Sequence, residues 1–498
     1  MKYLKLLLIL LLIYSCQSDS SQNENDSKKT KTIVVGKIRN YNPTKMEKTV
    51  TMYYYNNILQ QQSLKLEIDS LGNFKKEFKL PYQQDVNFYF KNWTTLILNQ
   101  GDSISFSIDA NHNTSSELYA SIILGGDGTA LNKDLHRFRK NDTILNGYYD
   151  NYQNLTYDNF LTYHDSVFKL RNDYIKSFKK KNPDLNSSLL KWLNVEQHLV
   201  PTQKVLEFPM YFRMYNREKA SNITYADNFF SIIENLPKLN SDIFINGQIS
   251  TLGNQLLFHY YDKVNPRKEK MTRNTIDSLT LRQLKSDFLN NPVLSQLAIT
   301  DRIKSDLDGM DISFIEREEK ELRSVYGDSE LGKSVFETYY TIKASLENAE
   351  ITDGIELLTF NSENPKDYLD EIIANANGKV IYIDHWATWC APCRSEFKYG
   401  LPSFKKKYGD QLEYIYLCYQ SKEEQWKPLI NKYNLIGKHY FINDTAALTL
   451  APQMKAFGFP TYTIIDQKGN MVQSDFAYRP SEPITSEIID KLLNNENE

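Results

Sequence analysis

The chain has 498 residues, of which 41% are hydrophobic and 13% aromatic, with 34 tyrosines and a formal net charge of −3. This is enough apolar material for two or three packed domains rather than one, and it confines disorder to local segments. The near balance of charge, with a sequence pI of about 6.2, argues against a protein built to bind polyanions, so no nucleic-acid partner is expected.

Residues 1–16 carry two lysines and then an apolar run that ends at Ser15 and Cys16. The run is too short to span a bilayer and reads as a secretory signal. Ile13-Tyr-Ser-Cys16 resembles a lipobox, in which the cysteine is lipidated and becomes the mature amino terminus. Cys16 is therefore the expected lipid anchor; the alternative is an ordinary signal peptide in which Cys16 has no role. Residues 17–31 are polar and read as a flexible tether. The expected location is extracytoplasmic: a bacterial membrane-anchored lipoprotein facing the periplasm.

Residues 32–125 contain short alternating runs at 33–35, 50–55, 64–68, 86–90 and 104–108, separated by Gly, Asn, Asp and Pro signals. The spacing predicts a small β-sandwich-like domain with no catalytic constellation. From 126 to 350 the period becomes helical: Phe160, Tyr163, Val167, Leu170 and Tyr174 recur at steps of three and four and predict one apolar face. The stretches 176–181 and 316–323 are charge-rich and read as solvated faces. His136, His164, His198 and His259 lack ligand spacing and read as surface or capped core residues. An α-helical domain is predicted here.

A third domain is expected over 351–498. Residues 357–360 read as an edge strand, 365–376 as a short helix, and Asn377-Gly378 as the turn into a buried strand that starts at Val380. The strand pattern breaks at Trp389, and Pro392 falls where a helix begins, a position at which a missing N–H costs nothing. Cys390 and Cys393 thus flank a strand-to-helix junction, with Cys390 under the positive end of the helix, where a thiolate is stabilised. Cys393, on the first turn, is placed to attack any disulfide formed at Cys390. A lone C-x-x-C is shared by redox and zinc sites. Zinc would need more ligands, and the remaining cysteines are Cys16 and Cys418, with no His-x-x-x-His spacing nearby. The ligand count favours redox work, without a metal and without an organic cofactor. Further on, a strand at 412–418, helices near 423–433 and 445–457, a hairpin and a closing helix near 486–493 are expected. Cys418 reads as a buried inert thiol.

Trp386-Ala-Thr-Trp-Cys-Ala-Pro-Cys393 resembles the active site of the thioredoxin superfamily, and specifically that of TlpA/ResA-like thiol–disulfide oxidoreductases. The resemblance covers roughly the last 150 residues, the size of one domain, and implies an α/β thioredoxin-like fold there. It implies a redox-active disulfide between Cys390 and Cys393, with Cys390 attacking a client disulfide and Cys393 resolving the mixed disulfide. Asp384 matches the buried acid ahead of the motif, whose pKa, raised by desolvation, suits it to take the proton of Cys393; the alternative is a plain core acid. Glu396 matches the glutamate after the second cysteine. It either tunes the thiols or is an exposed or first-turn carboxylate. Gly458-Phe-Pro-Thr461 resembles the cis-proline loop, so Pro460 and the backbone of Phe459 are expected to receive an extended client segment, with Trp389 at the rim. Lys398 stands where the family places a proline, and Pro402 moves the expected helix kink by a turn. His385 should face away from Asp384.

Residues 32–125 likewise resemble the β domain that precedes the thioredoxin module in many bacterial lipoproteins of this type. Ala391-Pro392 resembles a reducing Gly-Pro pair, which implies reduction of disulfide-containing client proteins with electrons from a membrane donor. Two other readings compete: a surface or periplasmic binding lipoprotein whose thioredoxin-like domain is accessory, and a thiol-dependent peroxidase.

Overall fold

The computed structural model describes residues 31–216, 228–265, 269–348 and 350–494. The expected signal peptide, Cys16 and residues 17–30 of the tether lie outside the described residues. Contacts divide the chain into two compact units. Of the described residues, one unit holds those up to Arg302 and Lys320–Val335; the other holds Ile303–Glu319 and those from Phe336 onward. Asp308 lies in the second unit, where it bonds Arg394 and Lys432.

In the first unit, strands β1 (Lys31–Arg39), β2 (Thr49–Tyr55), β3 (Gln61–Glu67), β4 (Asn73–Lys79), β5 (Gln84–Phe90), β6 (Asn92–Leu98) and β7 (Ser103–Asp109) are followed by helix α1 (Ser115–Ser121) and strand β8 (Ile123–Gly126). They make two four-stranded sheets, ordered β4-β1-β7-β8 and β3-β2-β5-β6. Alternation along β1 turns Val34 and Ile38 inward, where they share one core with Met52, Val86 and Phe88 of the other sheet. Gly36 is required within it: a Cβ there would lie 1.9 Å from the ring of Phe74, its paired residue on β4. Strand β6 is buried on both faces, since Leu96 and Leu98 enter the sandwich core while Ile97 packs with Leu135, Phe138 and Trp192 of the helices.

The longer helices are α2 (Thr129–Asn141), α3 (Tyr157–Lys181), α4 (Ser187–Tyr215), α5 (Gln248–Val264), α6 (Arg273–Asp287), α7 (Pro292–Asp308), α8 (Ser313–Tyr326) and α9 (Glu330–Glu347). Helix α3 starts at a Thr156–Asn159 capping box and ends in Lys179, Lys180 and Lys181, a charge order that suits the helix dipole. Its buried stripe is rotated from the predicted one. Leu170 is 63% exposed, while the adjacent Arg171 is buried and bonded at 2.7 Å to both Asp142 and Glu196. The polar partners make burial of the arginine tolerable and turn the leucine outward. His136 and His164 are buried, each with a ring nitrogen on a backbone carbonyl, of Thr95 and Pro201 respectively.

The second unit is built on a six-stranded sheet ordered β14-β13-β10-β11-β12-β9. In chain order it contains β9 (Ile355–Leu358), α10 (Tyr368–Ala374), β10 (Val380–Trp386), α11 (Ala391–Tyr399), α12 (Leu401–Tyr408), β11 (Leu412–Tyr419) and α13 (Glu423–Lys432). Then follow β12 (Gly437–Ile442), α14 (Asp444–Gln453), β13 (Thr461–Ile465), β14 (Met471–Asp475) and α15 (Pro483–Leu493). Strands β9 to β12 pair in parallel and β13 and β14 are antiparallel. All seven residues of β10 are buried, as a central strand covered on both faces requires. Ile381 and Ile383 share one core with Ile415, Leu417 and Leu450. The helix after the cysteines breaks at Gly400, and Pro402 opens α12, so the kink falls a turn later than the family pattern. No helix among the described residues is long and apolar enough to cross a membrane.

Candidate active site

Cys390 caps α11, and the first turn of a helix leaves its backbone N–H groups without intrahelical partners. One of them, that of Cys393, donates to Cys390 Sγ at 3.2 Å. Pro392 sits in this turn, where its lack of an N–H forfeits no helical bond. Cys390 and Cys393 form a disulfide, with Cα atoms 5.3 Å apart. Cys418 is free and fully buried, and burial pushes its thiol up to about 12.

Asp384 lies on β10, in register with Tyr416 on β11 and Tyr462 on β13. Residues two apart on a strand share a face, and Trp386 on that same face packs edge-on against Phe397 of α11 with ring centroids 5.2 Å apart. The acid therefore occupies the face of the sheet that the cysteine-bearing helix covers. It is 1% exposed, and neither carboxylate oxygen has a hydrogen-bond partner among the described residues. Burial first, and then the Glu396 carboxylate, hold the Asp384 carboxyl well above the usual carboxylate range. His385 points to the other face, between the Tyr419 hydroxyl at 3.1 Å and the Thr463 hydroxyl at 2.9 Å, and burial pulls it down to about 3.

Glu396 is buried rather than exposed. It accepts the Ser481 hydroxyl at 2.8 Å and the Ser481 backbone N–H at 3.2 Å. Gly400 leaves it room, since a Cβ there would come within 2.2 Å of Glu396 Oε2.

The Phe459–Pro460 peptide bond is cis. Phe459 stacks on Tyr419 and meets Trp389 edge-on, with centroids 5.5 and 5.9 Å away. Trp389 is 59% exposed, and its indole N–H donates to the Gln420 carbonyl at 2.8 Å. Together with Leu448 and Phe457 these residues line a groove of about 960 Å³ beside the motif. Sequence reasoning passed over Arg394, Thr388 and Asp308, a polar cluster next to the cysteines in which Arg394 and Thr388 are buried and Asp308 is half-buried. An arginine after a cysteine on an amphipathic helix reads as a solvent-facing residue, and its acid lies 86 residues away.

A C-x-x-C disulfide at the start of the helix that follows a central strand defines a thiol–disulfide oxidoreductase of the thioredoxin superfamily. Residues 377–471 match the family model described as Thioredoxin-like. The Thioredoxin-like protein YneN of Bacillus subtilis (strain 168) is 24% identical over 141 residues, spanning 28% of this chain and 76% of that protein. Among solved structures, a Bacteroides vulgatus protein provisionally described as a thiol-disulfide oxidoreductase is 31% identical, covering 25% of this chain and 79% of its own, with a TM-score of 0.22. A thiol:disulfide interchange protein of the thioredoxin family from Chlorobium tepidum TLS is 18% identical over 24% of this chain and 83% of its own, with a TM-score of 0.21.

Proposed function

We propose that this oxidoreductase reduces disulfides of client proteins outside the cytoplasm, anchored to a membrane through Cys16 and resupplied with electrons by a membrane partner. The observation that carries the reading is the Cys390–Cys393 disulfide at the start of α11, with the Cys393 N–H on Cys390 Sγ. In the reduced protein the same N–H and the helix dipole favour a thiolate at Cys390. That thiolate attacks one sulfur of the client disulfide; the S–S bond breaks, the client's other sulfur leaves as a thiolate, and Cys390 is joined to the client. The ionised form of Asp384 then takes the proton of Cys393, whose thiolate attacks Cys390 Sγ; the client's second sulfur leaves as a thiolate and the Cys390–Cys393 disulfide remains. Two electrons pass from the pair to the client in each cycle. Glu396 acts on this step through the charge it places on Asp384. Pro460, the backbone of Phe459 and the Trp389 rim receive the client's extended segment. The amino-terminal signal and the Ala391-Pro392 pair support the location and the reducing direction.

Cys393→Ser tests the reading, because it halts the cycle at the mixed disulfide. The expected product in cells is a client protein covalently attached to Cys390, recovered with the membrane fraction and lost from that fraction in Cys16→Ser. A variant that accumulates no such adduct would contradict protein-disulfide reduction.

A further inference from the structure

Arg394 follows Cys393 directly, yet it is 3% exposed. Its Nη1 donates to the Thr388 carbonyl at 2.6 Å, and its Nε donates to Asp308 Oδ2 at 2.9 Å. Asp308 is occupied on its other side as well: Lys432 Nζ donates to Oδ1 at 3.0 Å and to the Asp308 carbonyl at 2.9 Å, and the Tyr433 hydroxyl lies 3.3 Å from Oδ1. Gly309 follows in close approach, since a Cβ there would stand 3.3 Å from both Arg394 Nη1 and the Thr388 carbonyl. Thr388 is gripped independently: its N–H donates to Ser421 Oγ at 2.9 Å and its hydroxyl donates to Gln425 Oε1 at 3.0 Å. Asp308 lies outside the matched span of 377–471.

We propose that Asp308 is a positioning residue for the redox pair: by holding Arg394, it locks the loop that carries Cys390 to the helix that carries Cys393. The backbone of Arg394 belongs to the helical side of the pair, and its guanidinium holds a carbonyl two residues ahead of Cys390, so the side chain closes a short ring around both cysteines. Closing such a ring raises the effective concentration of Cys393 at Cys390. A higher effective concentration speeds resolution and stabilises the disulfide, which makes the dithiol a stronger reductant. An unpaired arginine could not stay buried at this spot, so its acid decides whether the ring closes. Burial pushes the Asp308 carboxyl up, but Lys432 and then Arg394 outweigh it and hold the group at about 2, so it is an anion throughout the working pH range. The proposal rests on dithiol–disulfide exchange at Cys390 and Cys393.

The test uses the full chain and two readouts: the equilibrium constant of the pair against glutathione, and the rate at which Cys393 resolves a mixed disulfide preformed at Cys390. Asp308→Asn is expected to shift the equilibrium about tenfold toward the dithiol, which is about 30 mV for a two-electron couple, and to slow resolution by a similar factor. Asp308→Glu is expected to recover part of both. Arg394→Lys keeps the charge pair but gives up the two-pronged reach to Thr388, so it should move both readouts in the same direction; it decides the matter if Asp308→Asn does not fold. Asp490→Asn, which removes a surface ion pair with Lys407, is the control and should leave both unchanged. Wild-type values in Asp308→Asn and Arg394→Lys, whatever their melting temperatures, overturn the proposal. A wild-type protein with a measurable equilibrium constant that reduces no protein disulfide would instead overturn the functional reading, and this test would still stand.

Discussion

The backbone N–H of Cys393 meets Cys390 Sγ at 3.2 Å, a contact that would stabilise negative charge on Cys390 once the disulfide is reduced. The two thiols should therefore differ in reactivity once reduced. Alkylation of the reduced protein near neutral pH is expected to label Cys390 at least about tenfold faster than Cys393, as its thiolate fraction requires. Cys418, buried and pushed up to about 12, should label last. Peptide mapping of partially alkylated protein reads the order directly, and equal rates at all three positions would exclude Cys390 as the selective nucleophile.

Asp384 carries a prediction of opposite sign for activity and for stability. Its unfolded carboxyl ionises near the ordinary value of 3.8, whereas burial holds the proton in the folded state to much higher pH. The folded protein binds more protons across that window, so this group's contribution to stability is fully present at low pH and declines as pH rises above about 4. Asp384→Asn removes the loss and should raise the melting temperature at pH 7 by roughly 2–4 °C. The same change removes the proposed proton acceptor and should slow resolution of the mixed disulfide by about a hundredfold. Calorimetry and single-turnover release of client thiol measure the two effects; unchanged release across pH would reduce Asp384 to a core acid.

Lys405 is held against the rings of Tyr414 and Tyr416, at 4.7 and 5.3 Å, and donates to the Ile436 carbonyl. Burial lowers its pKa from the ordinary 10.5 to about 7. Between those values the unfolded chain binds more protons, so stability rises with pH across that window. Lys405→Met keeps the stem and removes the charge. It should melt roughly 2–4 °C higher than the wild type at pH 7, with the gap closing toward pH 10. A constant gap from pH 6 to pH 10 would mean that the charge is not the cause.

Trp389 stands exposed at the groove beside the cysteines, with its indole on the Gln420 carbonyl and its ring against Phe459. If it is a rim for protein clients, Trp389→Ala should raise KM for a protein disulfide about fivefold, near 1 kcal/mol. Exchange with a small disulfide such as oxidised glutathione should change little. Equal losses on both substrates would assign Trp389 to loop integrity instead.

Much of the site was legible because its signals are short-range. The break from an apolar strand to Pro392 and the C-x-x-C spacing depend on the few residues around them, and so does the placing of Asp384 and His385 on opposite faces of one strand. Local periodicity likewise foretold the β runs of residues 32–125 and the helices after them. Strand β12 escaped because Lys438 and His439 give Gly437–Ile442 a polar look. In the structure His439 is fully buried, stacked on Tyr416 at 4.5 Å, and burial pulls it down to about 3. The predicted apolar face of α3 was rotated for the same kind of reason, since Arg171 is buried by Asp142 and Glu196 while Leu170 faces out. Whether a charged side chain can be buried depends on a partner that no local window contains. The sequence by itself thus determined the chemistry of the pair, through residue types and spacing. Only the tertiary structure decided that Asp384 is left without a hydrogen bond between two tyrosines, that Glu396 is held by Ser481, and that Arg394 finds its acid 86 residues away at Asp308. Those pairings depend on strand register and on chain segments far apart in sequence, which packing brings together and periodicity does not encode.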